Sequence, residues 1–311
     1  MSKQLFLANP NFSEGADIRL VGEIVDTVRN RPGVTLVKVD AQAEFNRTVV
    51  TLVGEWEPLE TALVDLTAKC AASIDMRRHK GTHPRMGSMD VIPMFPFKNT
   101  TIDDCVKFSR GLGEKIFAKI GLPIFYAEGA ATSEARKKLP FIRKGQFEGL
   151  RDLLKAAKND PARAAEYEAR KPDLSTDGLL SETAGGMVIE PMNEIAAFFN
   201  IFLDTEDLAV AKTIAESVRA IGGGFATVTA IGIKFEDRPG TVVSMNVLDC
   251  AKTPIYRPFE FVKSEAARYG ARVTGSELVG IVRLDFLVNC FVHQLQLEGF
   301  EKEHIIETHL M

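Results

Sequence analysis

Short apolar runs and longer stretches of helical spacing succeed one another along the chain in two rounds. In the first, Leu5 to Ala8 reads as a short buried strand that enters the turn-rich Asn9-Pro10-Asn11-Phe12-Ser13-Glu14-Gly15. Asp17 is placed to cap a helix over Ile18 to Arg29, where Leu20, Ile24 and Val28 recur at helical spacing. After Arg31-Pro32-Gly33, Val34 to Val39 alternates as a strand, and β-branched Arg47 to Val53 reads as another. A helix is expected over Glu57 to Ala72. Strand, helix, strand, strand, helix is an α/β or split βαβ pattern. Asp90 to Phe97 is apolar but carries Pro93 and Pro96, which predicts an edge or interrupted strand. Thr101-Ile102-Asp103-Asp104 opens a helix to about Ile120, a strand follows at Ile124 to Ala127, and more helix near Ser133 to Leu139.

Residues 150–171 break the pattern. They are rich in Ala, Lys, Arg and Glu and predict two short exposed helices interrupted at Asn159-Asp160-Pro161. Lys171 to Gly186 reads as a long loop, and a domain boundary is expected within it, dividing the chain into 1–180 and 181–311. The alternation then resumes. Ile195 to Leu203 is a strand candidate, and Thr205 to Ile221 a helix opened by Thr205-Glu206-Asp207 and stopped by Gly222-Gly223-Gly224. Phe225 to Phe235 and Thr241 to Val247 read as strands joined by a turn at Asp237-Arg238-Pro239-Gly240. Pro258 to Tyr269 predicts a helix and Val273 to Val279 a strand. The fold class expected is α/β (α+β): two similar sandwich subdomains, with the cleft between them as the default ligand site.

Composition narrows the function. The 311 residues are 45% hydrophobic and 26% charged, ordinary for a folded globular protein. A net charge of -4 without long Lys/Arg runs gives no sign of nucleic-acid binding. No stretch approaches the roughly 20 apolar residues of a membrane span, and the N-terminal apolar run is too short for a signal peptide. Cys70, Cys105, Cys250 and Cys290 are scattered without zinc-ligand spacing, as reduced thiols of a cytoplasmic protein would be.

Asp75 to Asp90 is the densest candidate for chemistry. Arg77, Arg78, His79, His83 and Arg85 gather around Gly81 and Gly87, and Gly81 with Pro84 makes this a shaped loop rather than a helix. Cations near a histidine lower its pKa and favour the neutral ring, which accepts a proton near pH 7. Arginines hold carboxylates by bidentate contacts. A site for an anionic substrate with a histidine acid/base is one reading, and a solvated basic loop is the other. A metal site on His79 and His83 lacks the HExxH arrangement, and no metal is expected. Asn11, Ser13 and Glu14 follow a strand and either line a cleft or turn into a helix. Gly222-Gly223-Gly224 follows a helix, so a helix stop fits it better than a phosphate cradle.

Several segments together resemble the formiminotransferase family in order and spacing, across nearly the whole chain. They are Pro10-Asn11-Phe12-Ser13-Glu14-Gly15, Asn46-Arg47-Thr48-Val49, Ile74-Asp75-Met76, His83-Pro84-Arg85-Met86-Gly87, Ile142-Arg143-Lys144-Gly145-Gln146-Phe147-Glu148, Val243-Ser244-Met245-Asn246 and Gly275-Ser276-Glu277-Leu278-Val279-Gly280. The resemblance implies transfer of a formimino group from N-formimino-L-glutamate to tetrahydrofolate, in histidine breakdown, by a dimer of chains. Each chain would have two α/β subdomains with facing mixed sheets and helices outside. It places the catalytic histidine on His83. Candidate substrate contacts are Asn11, Ser13, Glu14, Asn46, His79, Arg85, Gly87, Asp90 and Arg143. The folate-contacting segment falls on Ser175 to Gly185, with Ser175, Thr176, Asp177, Gly178, Ser181, Thr183 and Gly185 as its candidates. Larger relatives continue into a cyclodeaminase domain, whose activity is not expected here. The chain departs from the family pattern at Leu174 and Ser175, and at Pro191-Met192-Asn193, where the family has Gly-Ala-Arg. A relative with an altered acceptor, or a non-catalytic folate- or glutamate-binding protein, is the alternative.

Overall fold

The computed structural model describes residues 3–235 and 238–309. They fall into two compact units, Met1–Asn193 and Glu194–Met311.

The first unit runs β1 (Leu5–Ala8), β2 (Asn11–Phe12), α1 (Ile18–Val25), β3 (Val34–Gln42), β4 (Arg47–Gly54), α2 (Trp56–Ser73), β5 (Met89–Lys98), α3 (Ile102–Ile120), β6 (Ile124–Tyr126), α4 (Leu139–Arg143), α5 (Gln146–Ala157), α6 (Ala164–Arg170) and β7 (Met187–Pro191). The Asp17 carboxylate accepts the Arg19 and Leu20 N–H groups and starts α1, and Thr101 with Asp104 forms a capping box at α3. The sheet runs β3, β4, then β1 and β2 sharing one position, then β5, β7 and β6; β5–β7 and β7–β6 are its parallel pairs. Phe6, Phe12, Val50, Leu52, Ile92 and Met94 meet Val21, Ile24, Leu59, Leu63, Phe108 and Leu112 in one core, so α1, α2 and α3 cover that face. Phe108 lies 5.1 Å from Phe6 and 5.0 Å from Trp56, ring to ring, locking α3 and α2 against β1.

Three expectations are corrected here. β5 is central, not an edge, despite its prolines. Pro93 lies across from the Asn9-Pro10 break between β1 and β2, where Asn9 N–H still donates to its carbonyl. By alternation, the position of the missing Pro96 N–H faces β7, which has already ended opposite Met94. Second, Met187–Pro191 was masked by the loop-like run before it; it is a buried strand between β5 and β6, which carries the first unit to Asn193, past residue 180. Third, α5 and α6 are not merely exposed: Phe147, Leu150 and Leu154 are buried in the core, and the buried Arg170 guanidinium donates to the Lys144 carbonyl at 2.5 Å.

The second unit runs β8 (Ala197–Leu203), α7 (Leu208–Val218), β9 (Val228–Ile233), β10 (Thr241–Val247), α8 (Tyr256–Arg268), β11 (Val273–Val279) and α9 (Leu284–Leu295). Its sheet order is β11-β8-β10-β9. Each crossover helix therefore joins strands separated by a third, a split βαβ arrangement, and every pairing is antiparallel rather than mixed. α7 is shorter than expected because Asp207 caps it, accepting the Ala209 N–H at 2.8 Å. Of the turn expected at Asp237 to Gly240, Asp237 lies outside the described residues.

Candidate active site

The sheet face of the first unit turned away from α1, α2 and α3 carries charge. Asn11 pairs with both Val49 and Val91, so these side chains share that face, as does Arg47 two residues from Val49. The register skips between Asn11 opposite Val91 and Phe12 opposite Met89, which makes Asp90 the extra residue of a β-bulge. The bulge re-aims the fully buried Asp90. Its Oδ2 accepts from Arg47 Nη1 at 2.7 Å and Arg143 Nη2 at 2.8 Å, and its Oδ1 from the Met86 N–H at 2.7 Å. Arg47 also donates Nε to Asn11 Oδ1 at 3.1 Å. Burial pulls the Arg47 pKa down, and Asp90 opposes that loss. Arg143 Nε is buried without a partner among the described residues.

His83 stands over this network, half-buried, with its ring edge-on to Phe45 at 6.4 Å. Its Nδ1 lies 2.7 Å from the Pro84 carbonyl. A carbonyl only accepts, so Nδ1 carries the proton and Nε2 keeps a free lone pair. Burial, and then the Arg47 charge, hold its pKa below the usual 6.5, so the ring is neutral at pH 7.

His79 has no such freedom. Its Nε2 lies 3.0 Å from the Asn46 carbonyl, and its Nδ1 accepts from Arg85 Nε at 3.2 Å, which fixes the Nε2–H tautomer and occupies both nitrogens. Arg85 in turn grips Glu148 through Nη1 at 2.9 Å and Nη2 at 2.7 Å, and donates to Gln146 Oε1 at 3.0 Å. That fork holds the Glu148 carboxyl below its usual pKa.

Other candidates split between the site and its scaffold. Glu14 Oε1 accepts the N–H groups of Gly15, Ala16 and Asp17, at 3.0, 2.9 and 2.9 Å. Asn46, in the left-handed region at φ 48°, accepts from Gly15 at 3.0 Å and donates to the Lys80 carbonyl at 2.8 Å. Both residues line an open pocket of about 440 Å³ with Asp75, Arg78 and His79; His83 does not. Ser13 Oγ donates to the Gly87 carbonyl at 2.7 Å. Gly87 bridges to Gly185, which sits at φ 74°, and a Cβ on Gly87 would fall 2.2 Å from the Gly186 carbonyl. The Met76 N–H donates to the Thr183 carbonyl and the Ser88 N–H to that of Ala184, so the end of the 175–185 segment is stapled beside the histidine loop. Ser181 bridges to Gly185 across that turn. Ser175, Asp177 and Gly178 instead form their own tight turn against Tyr167 of α6, with Thr176 exposed upon it.

Residues 5–189 match the formiminotransferase domain, N-terminal subdomain, and residues 198–310 match the formiminotransferase domain. The chain belongs to the formiminotransferase family. It is 39% identical to a glutamate formimidoyltransferase of Streptococcus pyogenes, covering 97% of each chain. It is 34% identical to the Thermoplasma acidophilum protein of that name, covering 96% of this chain and 94% of the other. It is 32% identical to the Rattus norvegicus formimidoyltransferase-cyclodeaminase, over 97% of this chain and 55% of that longer one.

Three residues of this formiminotransferase site escaped the sequence reading. Arg47 and Glu148 lie inside motifs that carry the family resemblance, yet neither stands out alone. Glu190 lies on β7, opposite Pro93 and so on the charged face. It is buried and accepts no hydrogen bond from the described residues; burial first, with Arg143 opposing, pushes its carboxyl up to about 7. A lone acid inside Met187-Val188-Ile189-Glu190-Pro191 was the available signal, hidden because that run was not read as a strand.

Proposed function

We propose that this chain transfers the formimino group of N-formimino-L-glutamate to tetrahydrofolate, giving 5-formimino-tetrahydrofolate and L-glutamate, with His83 as the acid/base. The folate nitrogen attacks the amidine carbon and forms the new C–N bond, while His83 Nε2 takes the proton that nitrogen sheds. The imidazolium returns the proton to the glutamate nitrogen as the old C–N bond breaks. One neutral histidine serves both transfers, worth roughly 10²–10⁴ in rate. The free Nε2 of His83, beside a neighbour whose nitrogens are both taken, is the observation that carries this reading. The names of the two single-activity relatives support it.

Arg143, whose side chain keeps some exposure beside Asp90, is the arginine to meet a substrate carboxylate, while Arg85, spent on Glu148, positions the loop. Thr183 and Gly185 form the folate side of the site beside the histidine loop, and the Ser175 to Gly178 turn against α6 continues that side as the remainder of the folate-contacting segment. In this reading the two compact units are the N- and C-terminal formiminotransferase subdomains, the protein is a cytoplasmic homodimer in histidine degradation, and no metal takes part. No helix among the described residues is long and apolar enough to cross a membrane. The test is to incubate the protein with both substrates and follow 5-formimino-tetrahydrofolate and glutamate. Stoichiometric appearance of both supports the reading. Binding of both substrates without product would replace it with a non-catalytic folate- and glutamate-binding relative, a reading that Pro191-Met192-Asn193 in place of Gly-Ala-Arg favours.

A further inference from the structure

The carboxylates of the charged face and of the loops beside it are unequally engaged. Asp90 accepts from Arg47, Arg143 and the Met86 N–H. Glu14 is taken by three backbone N–H groups, and Glu148 by Arg85. Glu190, 7% exposed, is the buried acid of this face with no hydrogen bond from the described residues, and the Arg143 guanidinium whose charge acts on it has an unpartnered Nε. A buried polar group without a partner is costly unless something else completes it. A ligand on this face would meet that carboxylate with N–H donors, beside the same Arg47, Asp90 and Arg143 whose charges act on His83.

We infer that Glu190 is the specificity-determining residue for the donor, accepting the paired N–H groups of the formamidinium of N-formimino-L-glutamate. This rests on the formimino-transfer reading above. A formamidinium carries two N–H groups in the fork geometry that carboxylates accept from guanidinium. A formyl group turns an oxygen lone pair toward the same carboxylate, and a site built for an N–H rejects an analogue without it. Arg47 and Arg143 do not repel the cation outright, because Asp90 neutralises part of their charge.

The charges facing Glu190 are Arg143 at the end of α4, Asp90 on β5, Arg47 on β4 and Glu128 in the turn after β6. Burial pushes its carboxyl up to about 7, and a bound cation favours the ionised form, so binding releases a proton. Affinity for the cation therefore rises with pH through about 7. His83, neutral above its lowered pKa, adds repulsion only at lower pH.

The experiment measures binding of N-formimino-L-glutamate, N-formyl-L-glutamate and tetrahydrofolate separately, to wild type and Glu190→Gln, by calorimetry in buffers of different ionisation enthalpy. Glu190→Gln is expected to weaken the formimino compound roughly 10- to 100-fold, from loss of a charged hydrogen bond. Proton release should vanish with it, while tetrahydrofolate is unaffected and the formyl compound binds as well or better, because the Gln amide can donate to its oxygen. Equal weakening of both glutamate compounds, or no weakening, overturns the inference and leaves the transferase reading standing. Weakening of tetrahydrofolate alone also overturns it, since a pterin ring presents a similar N–H edge. Failure of the wild type to bind either glutamate compound overturns the transferase reading, and this inference with it.

Discussion

His79 and His83 stand four residues apart on one loop and are engaged in opposite ways. The His79 end is saturated: both ring nitrogens, the Arg85 fork and the Glu148 carboxylate are spent on each other. The His83 end is half open: one nitrogen is anchored on the Pro84 carbonyl and the other has no partner among the described residues. Residue type and spacing were equal in the sequence. Unspent hydrogen-bonding capacity distinguishes the proposed acid/base from its support, and the same criterion separates Glu190 from Asp90, Glu14 and Glu148.

The comparison is broken most severely at its shared foundation. Asp90→Asn leaves Arg47 and Arg143 buried beside a neutral amide, and should cost about 3–5 kcal/mol in denaturant unfolding. An unchanged midpoint would show that the network does not anchor the loop. Gly87→Ala comes next. Its Cβ meets the Gly186 carbonyl, a backbone atom that cannot swing aside, and a loss of about 1–3 kcal/mol is expected by the same measurement.

The two histidines are then set against each other. His79→Ala should lose about 1–2 kcal/mol, because it strands the Asn46 carbonyl and the Arg85 Nε. His83→Ala should stay within about 0.5 kcal/mol of wild type. Reversed magnitudes would reverse the roles. A pH dependence at Glu190 sharpens the contrast among the carboxylates. Its folded pKa is raised from 4.5 to about 7, so the folded state binds the extra proton, and stability falls as pH rises from about 4.5 to 7. Glu190→Gln removes that slope, so its melting temperature relative to wild type should be higher at pH 8 than at pH 5.

Much of this was legible from the chain alone, and the rest failed for physical reasons. Helix starts with a side-chain cap, Asp17 and Thr101, stood where local chemistry placed them. β5 was misjudged because the tolerance of Pro93 and Pro96 depends on where neighbouring strands break and end, which is tertiary information. β7 was missed because five residues after a Gly-rich turn give too little periodicity to register. With it went Glu190 and the extent of the first unit. The histidine loop was visible as a cluster, but which ring was free depended on Asn46 and Arg85 arriving from other parts of the chain.

The most direct measurement is single-turnover formimino transfer to tetrahydrofolate by wild type and His83→Ala across pH. With both substrates saturating at every pH, His83→Ala is expected to lose roughly 10²–10⁴ in rate, and the wild-type rate to fall on the acid side below pH 6.5, a limb the variant lacks. A His83→Ala protein with wild-type rate and an unchanged acid limb would contradict the proposed role of His83.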